Sequence, residues 1–351
     1  MVVAATDPRP RAAERICSQP AQIADTEPAM IPRSDKLAIC FAHVAYQLHE
    51  RFVTLDTGIH SFAVRDAGTL ANRIGEAEVL VISGLWQNSL LDRAPRLRFI
   101  QAIGAGTDQF PRDELARRGI RLASARGVNA RAVAEHAIAL ILALSRRLPE
   151  ARDNQARRVW RQMIGELARR EDELGGKTLL VVGIGDIGGR LVGLAKAFDM
   201  RVIGLRRDPS LGPGAADAVH PMGALKSLLS EADFIALTCP LTPETEKLID
   251  ADALARMKPA AYLVNVARGR VVDEAALVEA LEARRIAGAA LDVTVEEPLP
   301  PNSPLWGMEH VLITPHTAGE TRRYEDNVIE ILRDNLERLW RGESQLRNQV
   351  V

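Results

Sequence analysis

The sequence predicts an α/β fold with two doubly wound parallel-sheet domains. Two observations lead to this prediction. The chain has 351 residues, which exceeds the usual size of one α/β domain. From Lys36 onward, short β-rich apolar runs alternate with helical patterns, as in βαβ units whose parallel sheet is covered on both faces.

The predicted strands form two series. The first consists of LAICFA (37–42), EVLVIS (78–83), LRFIQAI (97–103) and IRLASA (120–125). The second consists of KTLLVVG (177–183), RVIGL (201–205), FIALT (234–238), YLVNV (262–266), AGAALDV (287–293) and HVLITP (310–315). Crossover helices are predicted at 187–199, 223–230, 250–257 and 273–284. The second series therefore describes a Rossmann-type sheet.

Composition excludes several classes of partner. The formal net charge is -1, with 45 basic and 46 acidic residues interspersed, so neither nucleic acid nor a membrane surface is expected as the main partner. Cys17, Cys40 and Cys239 lie far apart without metal-ligand spacing, which argues against a disulfide framework or a zinc site. We expect a cytoplasmic protein with small-molecule ligands and no metal.

A glycine-rich turn follows the first strand of the second series. In the run Gly183-Ile184-Gly185-Asp186-Ile187-Gly188, the first glycine permits a tight turn, the second admits a pyrophosphate and the third lets helix and strand pack closely. The helix N-terminus then presents free N–H groups to the phosphates. This context favours dinucleotide binding over a purely structural turn.

The residues after the next strand indicate which dinucleotide binds. NAD-binding sheets place an acidic residue there for the ribose 2′-hydroxyl, whereas this chain has Arg206-Arg207-Asp208. A guanidinium can form a bidentate contact with a 2′-phosphate. NADP(H) is therefore predicted in preference to NAD(H); the alternative is that Asp208 still serves the ribose.

The last helix and the glycine turn together predict the domain organisation. The segment Thr321 to Trp340 is amphipathic, and because the second sheet already has its elements, we expect this helix to return to the first. A dinucleotide-binding domain (129–318) would then interrupt a flavodoxin-like substrate domain (35–128 and 319–351), after a flexible extension (1–34). Two crossings between domains predict a hinge, with the ligand site in the cleft.

Three candidate reacting groups occur in order beyond the glycine turn. Arg268 lies in NVARGR, Glu297 in LDVTVEEP and His316 in TPHTAG. Each alone has an ordinary structural explanation, as a cap, a loop carboxylate or a satisfied polar side chain. All three lie just past the carboxyl ends of Rossmann strands, where ligands bind in open α/β sheets, so we expect them to converge on the cleft.

These motifs carry a family resemblance. The chain resembles the D-isomer-specific 2-hydroxyacid dehydrogenases over nearly everything after the extension, and Glu297 follows Arg268 by 29 positions, the spacing that the family keeps. The matching segments are GIGDIG, CPLTPET (239–245), MKPAAYLVNVARGRVVDEAAL (257–277), AALDVTVEEPLP (289–300), TPHTAG (314–319), AIGAGTDQF (102–110) and GVNARAVAEHA (127–137).

The resemblance implies a role for each reacting group. Arg268 would bind the substrate carboxylate and the 2-oxo oxygen, stabilising charge that develops there. His316 would donate a proton to that oxygen in reduction and remove it in oxidation. Glu297 would hold the imidazole and favour its charged form.

The resemblance also implies a wider set of binding residues. Around the cofactor they are Cys239, Pro240, Thr245, Val266, Ala267, Asp292, which would bond the nicotinamide carboxamide, and Gly319, which would leave room beside it. Around the substrate they are the backbone N–H groups of Gly104-Ala105-Gly106. Trp86 either shapes the substrate pocket or belongs to the core.

The substrate is expected to be a small unphosphorylated 2-oxo acid. The segment from Gly84 to Asn88, which should face it, has no Arg or Lys to pair with a phosphate, and the sequence ends at Val351 without the regulatory domain that many phosphoglycerate dehydrogenases carry. An NADPH-preferring glyoxylate or hydroxypyruvate reductase is predicted. Alternatives are a phosphoglycerate, formate or phosphite dehydrogenase-like enzyme, or a dinucleotide-sensing corepressor-like protein.

A homodimer is also predicted. Helix 130–148 carries apolar residues on more than one face, more than one domain surface would require, and an isologous interface between two copies would bury the remainder.

Overall fold

The computed structural model describes residues 31–351, which contain two parallel β-sheets. The first sheet consists of β1 (Ala38–Ala42), β2 (His60–Val64), β3 (Val79–Ile82), β4 (Phe99–Ala102) and β5 (Arg121–Ala123). The second consists of β6 (Thr178–Val182), β7 (Arg201–Arg206), β8 (Ala218–Pro221), β9 (Phe234–Leu237), β10 (Tyr262–Asn265), β11 (Gly288–Leu291) and β12 (Val311–Ile313).

The strand orders identify the two folds. The first sheet runs β2-β1-β3-β4-β5, the flavodoxin-like order, and the second runs β12-β11-β10-β9-β6-β7-β8, the Rossmann order with one strand added. All neighbouring strands pair in parallel. The predicted fold class is confirmed, and the strand order of the second sheet reverses between β6 and β9, where such sheets bind their ligands.

Ten α-helices connect and cover the strands in the described part of the chain. They are α1 (Leu48–Val53), α2 (Ala67–Arg73), α3 (Arg112–Arg117), α4 (Ala130–Ser145), α5 (Leu148–Arg157), α6 (Asp186–Ala197), α7 (Leu225–Leu228), α8 (Ala251–Arg256), α9 (Glu274–Glu282) and α10 (Tyr324–Trp340). The helix predicted at 223–230 is only the short α7 between 3₁₀ turns. Strands β2 and β8 were not predicted, because both are edge strands with polar or part-exposed residues.

The last helix, α10, packs on the first sheet. Its apolar face joins the core cluster of β1, β3 and β4, and Val328, Leu332 and Leu336 are fully buried there. Two polar contacts fix its position: the Tyr324 hydroxyl donates to the carbonyl of Ile103 (2.6 Å), and Asn335 Nδ2 donates to Gln101 Oε1 (3.0 Å). The chain therefore returns to its first sheet after completing the second.

The predicted extension, residues 1–34, falls almost entirely outside the described residues. Of its last residues, Ile31 is buried in the core cluster that contains α10, and the carbonyl of Pro32 accepts a hydrogen bond from Trp340 Nε1 (2.8 Å). The boundary at residue 34 stays a prediction; one apolar residue among prolines gives no periodic signal from which these two contacts could have been expected. Over residues 31–351, no helix has the length and apolar character needed to cross a bilayer.

The apolar faces of α4 are used inside the chain. The helix packs against α6 and against β10 and β11. The side chains that led us to predict a dimer interface are buried in this core, including Val133, Ile138, Leu140, Ile141 and Leu144. These buried side chains therefore give no evidence for a second copy, because a crossover helix between a second helix and a sheet needs apolar residues on two faces. The homodimer through helix 130–148 stays a prediction.

The two predicted domain crossings lie side by side. A Cβ at Gly319 would come within 2.6 Å of Asn129 Nδ2, so the two crossings touch closely. Asn327 Nδ2, at the start of α10, donates to the carbonyl of Val128 (3.0 Å). This contact places both crossings at one seam.

Candidate active site

The glycine turn leaves no room for side chains at two of its positions. Gly183 has φ +104°, and a Cβ there would lie 2.7 Å from the Cys239 backbone. A Cβ at Gly188 would lie 2.3 Å from the carbonyl oxygen of Gly183. At Gly185, by contrast, a Cβ would meet no atom of the described residues within 4 Å. The second glycine thus exposes its backbone at the start of α6, as binding of a pyrophosphate requires.

An ion pair that sequence reasoning missed joins this turn to the first sheet. Arg126, three residues after β5, donates from Nε to Asp186 Oδ2 (2.7 Å), in the first turn of α6. Both side chains are exposed. Asp186 and Ile187 were predicted only as members of the glycine turn. Ile187 is partly buried and packs against the core cluster of α4, α6 and the second sheet. The residues are 60 positions apart, so no local pattern indicates the pair.

The end of β7 places two cations beside the predicted ribose site. Arg206 is half-buried and donates to the carbonyl of Gly212 (3.3 Å), whereas Arg207 is exposed. Asp208 turns toward its own loop, where Oδ1 accepts from the Ser210 N–H (3.0 Å) and hydroxyl (2.6 Å). These bonds hold the pKa of the Asp208 carboxyl below its usual value.

The loop after β9 borders the glycine turn. Thr238 Oγ1 donates to the carbonyl of Gly183 (2.8 Å), and Cys239 packs against the same glycine. Burial raises the pKa of the Cys239 thiol to about 11, so the thiol is protonated at neutral pH. Thr245 Oγ1 closes the loop by donating to the carbonyl of Pro240 (2.7 Å).

The loop after β10 carries Arg268 at its exposed tip. Val266 and Ala267 are buried, and Asn265 ties the turn by accepting from the Ala267 N–H (3.0 Å) and donating to the Arg268 carbonyl (3.1 Å). A Cβ at Gly269 would lie 2.0 Å from the carbonyl of Thr294. Sequence reasoning missed Asn265 and Gly269, although a glycine directly after the functional arginine was a signal. This glycine lets the Arg268 loop contact the loop that carries Glu297.

Glu297 and His316 form a direct pair. His316 Nδ1 lies 2.7 Å from Glu297 Oε2, while Oε1 accepts from the Thr294 N–H (3.1 Å). Both side chains are partly exposed, at 47% for His316 and 38% for Glu297. His316 has φ +55°, a left-handed conformation that is uncommon outside glycine. Such a conformation needs support from its surroundings.

That support comes from Asp292, which is only 3% exposed. Its Oδ1 accepts from the Thr314 hydroxyl (2.6 Å) and the Thr317 N–H (3.0 Å), and its Oδ2 from the Ala318 N–H (3.1 Å). Its backbone carbonyl accepts from the His316 N–H (2.8 Å). Asp292 therefore organises the loop that presents His316.

The predicted substrate loop follows β4, with Gly104 half-buried and Ala105 and Gly106 exposed. A Cβ at Gly104 would meet no described atom within 4 Å. Trp86 is 8% exposed and packs on Phe110 with ring centroids 4.9 Å apart. Its indole N–H donates to Asn88 Oδ1 (2.9 Å), a placement that matches the core alternative.

The structure thus brings most candidates together at the carboxyl ends of β6, β9, β10, β11 and β12. The Arg268 loop, the Glu297 loop and the His316 loop contact one another through Gly269, Glu297 and Asp292. The predicted substrate loop contacts the segment that leads into the first crossing, because the Gly104 carbonyl accepts from the Ala125 N–H (2.9 Å). Trp86 remains apart, in the core of the first sheet.

Comparison with known proteins identifies the class. Residues 138–318 match the model of the D-isomer specific 2-hydroxyacid dehydrogenase NAD binding domain. A glyoxylate reductase of Korarchaeum cryptofilum is 36% identical over 75% of this chain and 79% of its own length. A D-3-phosphoglycerate dehydrogenase of Synechocystis sp. is 40% identical over 68% of this chain, which spans only 42% of that relative.

Solved structures share the whole arrangement. A D-isomer specific 2-hydroxyacid dehydrogenase family protein from Aeromonas salmonicida superimposes with a TM-score of 0.77 at 30% identity, covering 90% of this chain and 99% of that one. Fold, family model and relatives agree. The chain belongs to the D-isomer specific 2-hydroxyacid dehydrogenase family and is an NAD(P)-dependent enzyme of that family.

Proposed function

We propose that this enzyme is an NADPH-preferring reductase of a small, unphosphorylated 2-oxo acid of the glyoxylate or hydroxypyruvate type. One observation carries the proposal: the His316–Glu297 pair, 2.7 Å apart, lies at the same sheet edge as the glycine turn, and the loop that carries Glu297 contacts the Arg268 loop at Gly269. An acid/base pair, a cation and a phosphate cradle together are what reversible reduction of a carbonyl requires.

Each residue has a separate task in this chemistry. The Arg268 guanidinium would bind the substrate carboxylate and the carbonyl oxygen; its Nη1 donates to the Ala267 carbonyl (2.6 Å), which limits its freedom. His316 would donate the proton to that oxygen from Nε2, because Nδ1 is engaged by Glu297. The bound nicotinamide would supply the hydride. Asp292 Oδ2 accepts one bond from the loop, and its second lone pair would accept from the nicotinamide carboxamide.

The preference for NADPH is proposed from the end of β7. Arg206 and Arg207 follow the second Rossmann strand, and Asp208 is engaged by Ser210, so a 2′-phosphate would meet cations there. Solved structures of relatives contain either cofactor. One from Xanthobacter autotrophicus Py2 (26% identical) was determined with NADPH, and a formate dehydrogenase from Staphylococcus aureus (25% identical) was determined with NAD.

A panel of 2-oxo acids assayed with NADPH and NADH tests the proposal. We expect the highest kcat/KM for glyoxylate or hydroxypyruvate with NADPH. The panel includes a phosphorylated 2-oxo acid and pyruvate, because relatives include phosphoglycerate dehydrogenases and a D-lactate dehydrogenase. Equal or higher kcat/KM with NADH would contradict the cofactor proposal, and preference for the phosphorylated acid would contradict the substrate proposal.

Two substitutions with matched controls test the residue roles. His316→Ala and Arg268→Ala should each lower kcat/KM by roughly 10²–10⁴-fold while NADPH still binds. His60→Ala, on the exposed start of β2, and Arg270→Ala, which removes only a surface pair with Glu246, should stay near wild type. Retained activity in either active-site variant would refute its role, whatever the substrate.

We also propose a homodimer, with its contact moved from α4 to the segment 158–170. This segment exposes Trp160 (92%) and Met163 (98%), and it is held in place by Arg161 on Glu171 (2.6 Å). A second copy would cover these apolar side chains. Wild-type protein should sediment as a dimer at micromolar concentration, and the double substitution of Trp160 and Met163 by Ser as a monomer. Leu211→Ser, at an exposed site elsewhere, should change nothing.

A further inference from the structure

A chain of polar contacts runs from the middle of α4 to the loop that carries His316. His136 Nε2 lies 3.0 Å from Thr314 Oγ1, and Thr314 Oγ1 lies 2.6 Å from Asp292 Oδ1. His136 Nε2 is also 3.6 Å from Asp292 Oδ1. The proposed reaction uses neither His136 nor Thr314, yet both lie against the residue that organises the His316 loop.

The chemistry of the groups decides which of them donates in each of these hydrogen bonds. Asp292 accepts from the backbone N–H groups of Thr317 and Ala318, which can only donate, so it acts as an acceptor throughout. Thr314 therefore points its hydroxyl proton at Asp292. In its contact with His136, the Thr314 hydroxyl oxygen can then only accept a hydrogen bond. His136 is therefore the donor and carries a proton on Nε2.

The hydrogen bonds of Asp292 hold His316 in an uncommon backbone conformation. The carbonyl of Asp292 accepts from the His316 N–H (2.8 Å), and its carboxylate holds the two amides that follow residue 316. His316 itself has φ +55°. A non-glycine residue keeps such a conformation only where contacts on both sides determine it.

The same helix meets the loop a second time. At the far end of the loop, Gly319 lies against Asn129, the residue that precedes α4. Residues 314 to 319 thus contact α4 at Thr314, the residue before α4 at Gly319, and Asp292 between them. The helix in turn packs on α6, which begins at the cofactor turn.

We propose that His136 is a positioning residue: acting through Thr314 and Asp292, it holds the His316 loop in its reactive conformation. The proposal rests on the proposed function only for the role of His316. It gives α4, the helix that follows the first domain crossing, an indirect part in aligning the acid/base group.

Paired substitutions separate the donated hydrogen bond from mere packing. His136→Leu and Thr314→Val remove the bond, whereas His136→Gln and Thr314→Ser retain a group that can make it. We expect the first pair to lower kcat by roughly 10–100-fold with little change in the KM for NADPH, because small displacements of a catalytic group have effects of this size. The second pair should recover most of the loss. His60→Leu and His60→Gln, at an exposed position, are the matched controls.

Two further measurements do not depend on activity. Hydrogen exchange at the amides of Thr317 and Ala318 should be slow in the wild type and in the Gln and Ser variants, but at least about 10-fold faster in the Leu and Val variants. Nitrogen NMR of the imidazoles should show His136 protonated on Nε2.

Several outcomes would overturn the inference. They are a His136→Gln variant as impaired as His136→Leu, unchanged amide exchange in the Leu and Val variants, or a His136 ring protonated on Nδ1 alone. A wild-type enzyme inactive on every 2-oxo acid would defeat the proposed function instead. In that case amide exchange and NMR still decide whether His136 positions the loop.

Discussion

Two glycine-containing loops lie at the carboxyl ends of the two sheets, and they differ in why they contain glycine. In the turn after β6, a Cβ at Gly183 or Gly188 would overlap neighbouring backbone, at 2.7 and 2.3 Å. In the loop after β4, a Cβ at Gly104 would meet nothing within 4 Å, and one at Gly106 would make an ordinary contact at 3.9 Å. The first loop needs Gly183 and Gly188 to fold, whereas the second loop does not need its glycines for that purpose.

This difference separates structural from ligand-related constraints. Where neighbouring backbone occupies the space that a Cβ would need, the fold itself requires glycine, and the glycine is only indirect evidence for a cofactor. Where the space is open and the loop borders the predicted ligand site, close approach of a ligand to the backbone is a physical reason for glycine. Gly185 belongs to the second class although it lies within the first loop.

The largest effect is expected from Gly188→Ala. The added methyl group would overlap the Gly183 carbonyl, so strand and helix must separate, which should cost about 3 kcal/mol of unfolding free energy. Gly185→Ala is the matched control, with φ -113° and open space, and should stay within about 0.5 kcal/mol of wild type while NADPH binding weakens. Denaturant unfolding and nucleotide titration measure both. Equal stability of the two variants would remove the distinction between crowded and open glycines.

A second test applies the distinction to the reacting groups. Gly269→Ala would push the Arg268 loop away from Thr294, because the methyl group would lie 2.0 Å from that carbonyl. We expect kcat to fall by about 100-fold while NADPH affinity persists, since the glycine turn is untouched. Gly307→Ala, with open space around it, should behave as wild type. A loss of nucleotide affinity equal to the loss of kcat would show general damage to the domain instead.

Much of this arrangement could be predicted from the sequence because its signals are local. Buried strands such as β6 are continuous apolar runs, and the glycine turn lies directly between β6 and α6. The edge strands β2 and β8 escaped prediction because a half-exposed edge does not require such a run. The placement of the Arg268, Glu297 and His316 loops at one edge followed from one rule, that parallel strands end at the same edge.

What could not be predicted depends on contacts between distant segments. The pair of Arg126 with Asp186 and the chain from His136 to Asp292 join residues 60 and more positions apart. Helix α4 is the converse case: its apolar residues on two faces suggested a partner subunit, and in the structure α6 and the second sheet cover both faces. Periodicity reports that a face is buried and not which surface buries it.

A smaller effect is expected in the open loop. The double substitution of Gly104 and Gly106 by Ala should leave the unfolding free energy within about 0.5 kcal/mol of wild type, because neither methyl group meets a close neighbour. The KM for the 2-oxo acid should rise by about 10-fold, with NADPH affinity unchanged. Steady-state kinetics and denaturant unfolding check this. A large loss of stability would mean that this loop, too, needs glycine for its fold.

The smallest effect concerns the contact between the two regions. Arg126 comes from the first sheet and pairs at 2.7 Å with Asp186 of the glycine turn, but both side chains are exposed, so the pair should contribute at most about 1 kcal/mol. Arg126→Ala also leaves the Asp186 carboxylate uncompensated beside the phosphate site, so NADPH should bind a few-fold more weakly. Adding Asp186→Asn should restore this affinity, and raising the salt concentration should reduce the difference. If the double variant binds NADPH no better than Arg126→Ala, the arginine contributes through the structure of the crossing and not by neutralising the carboxylate.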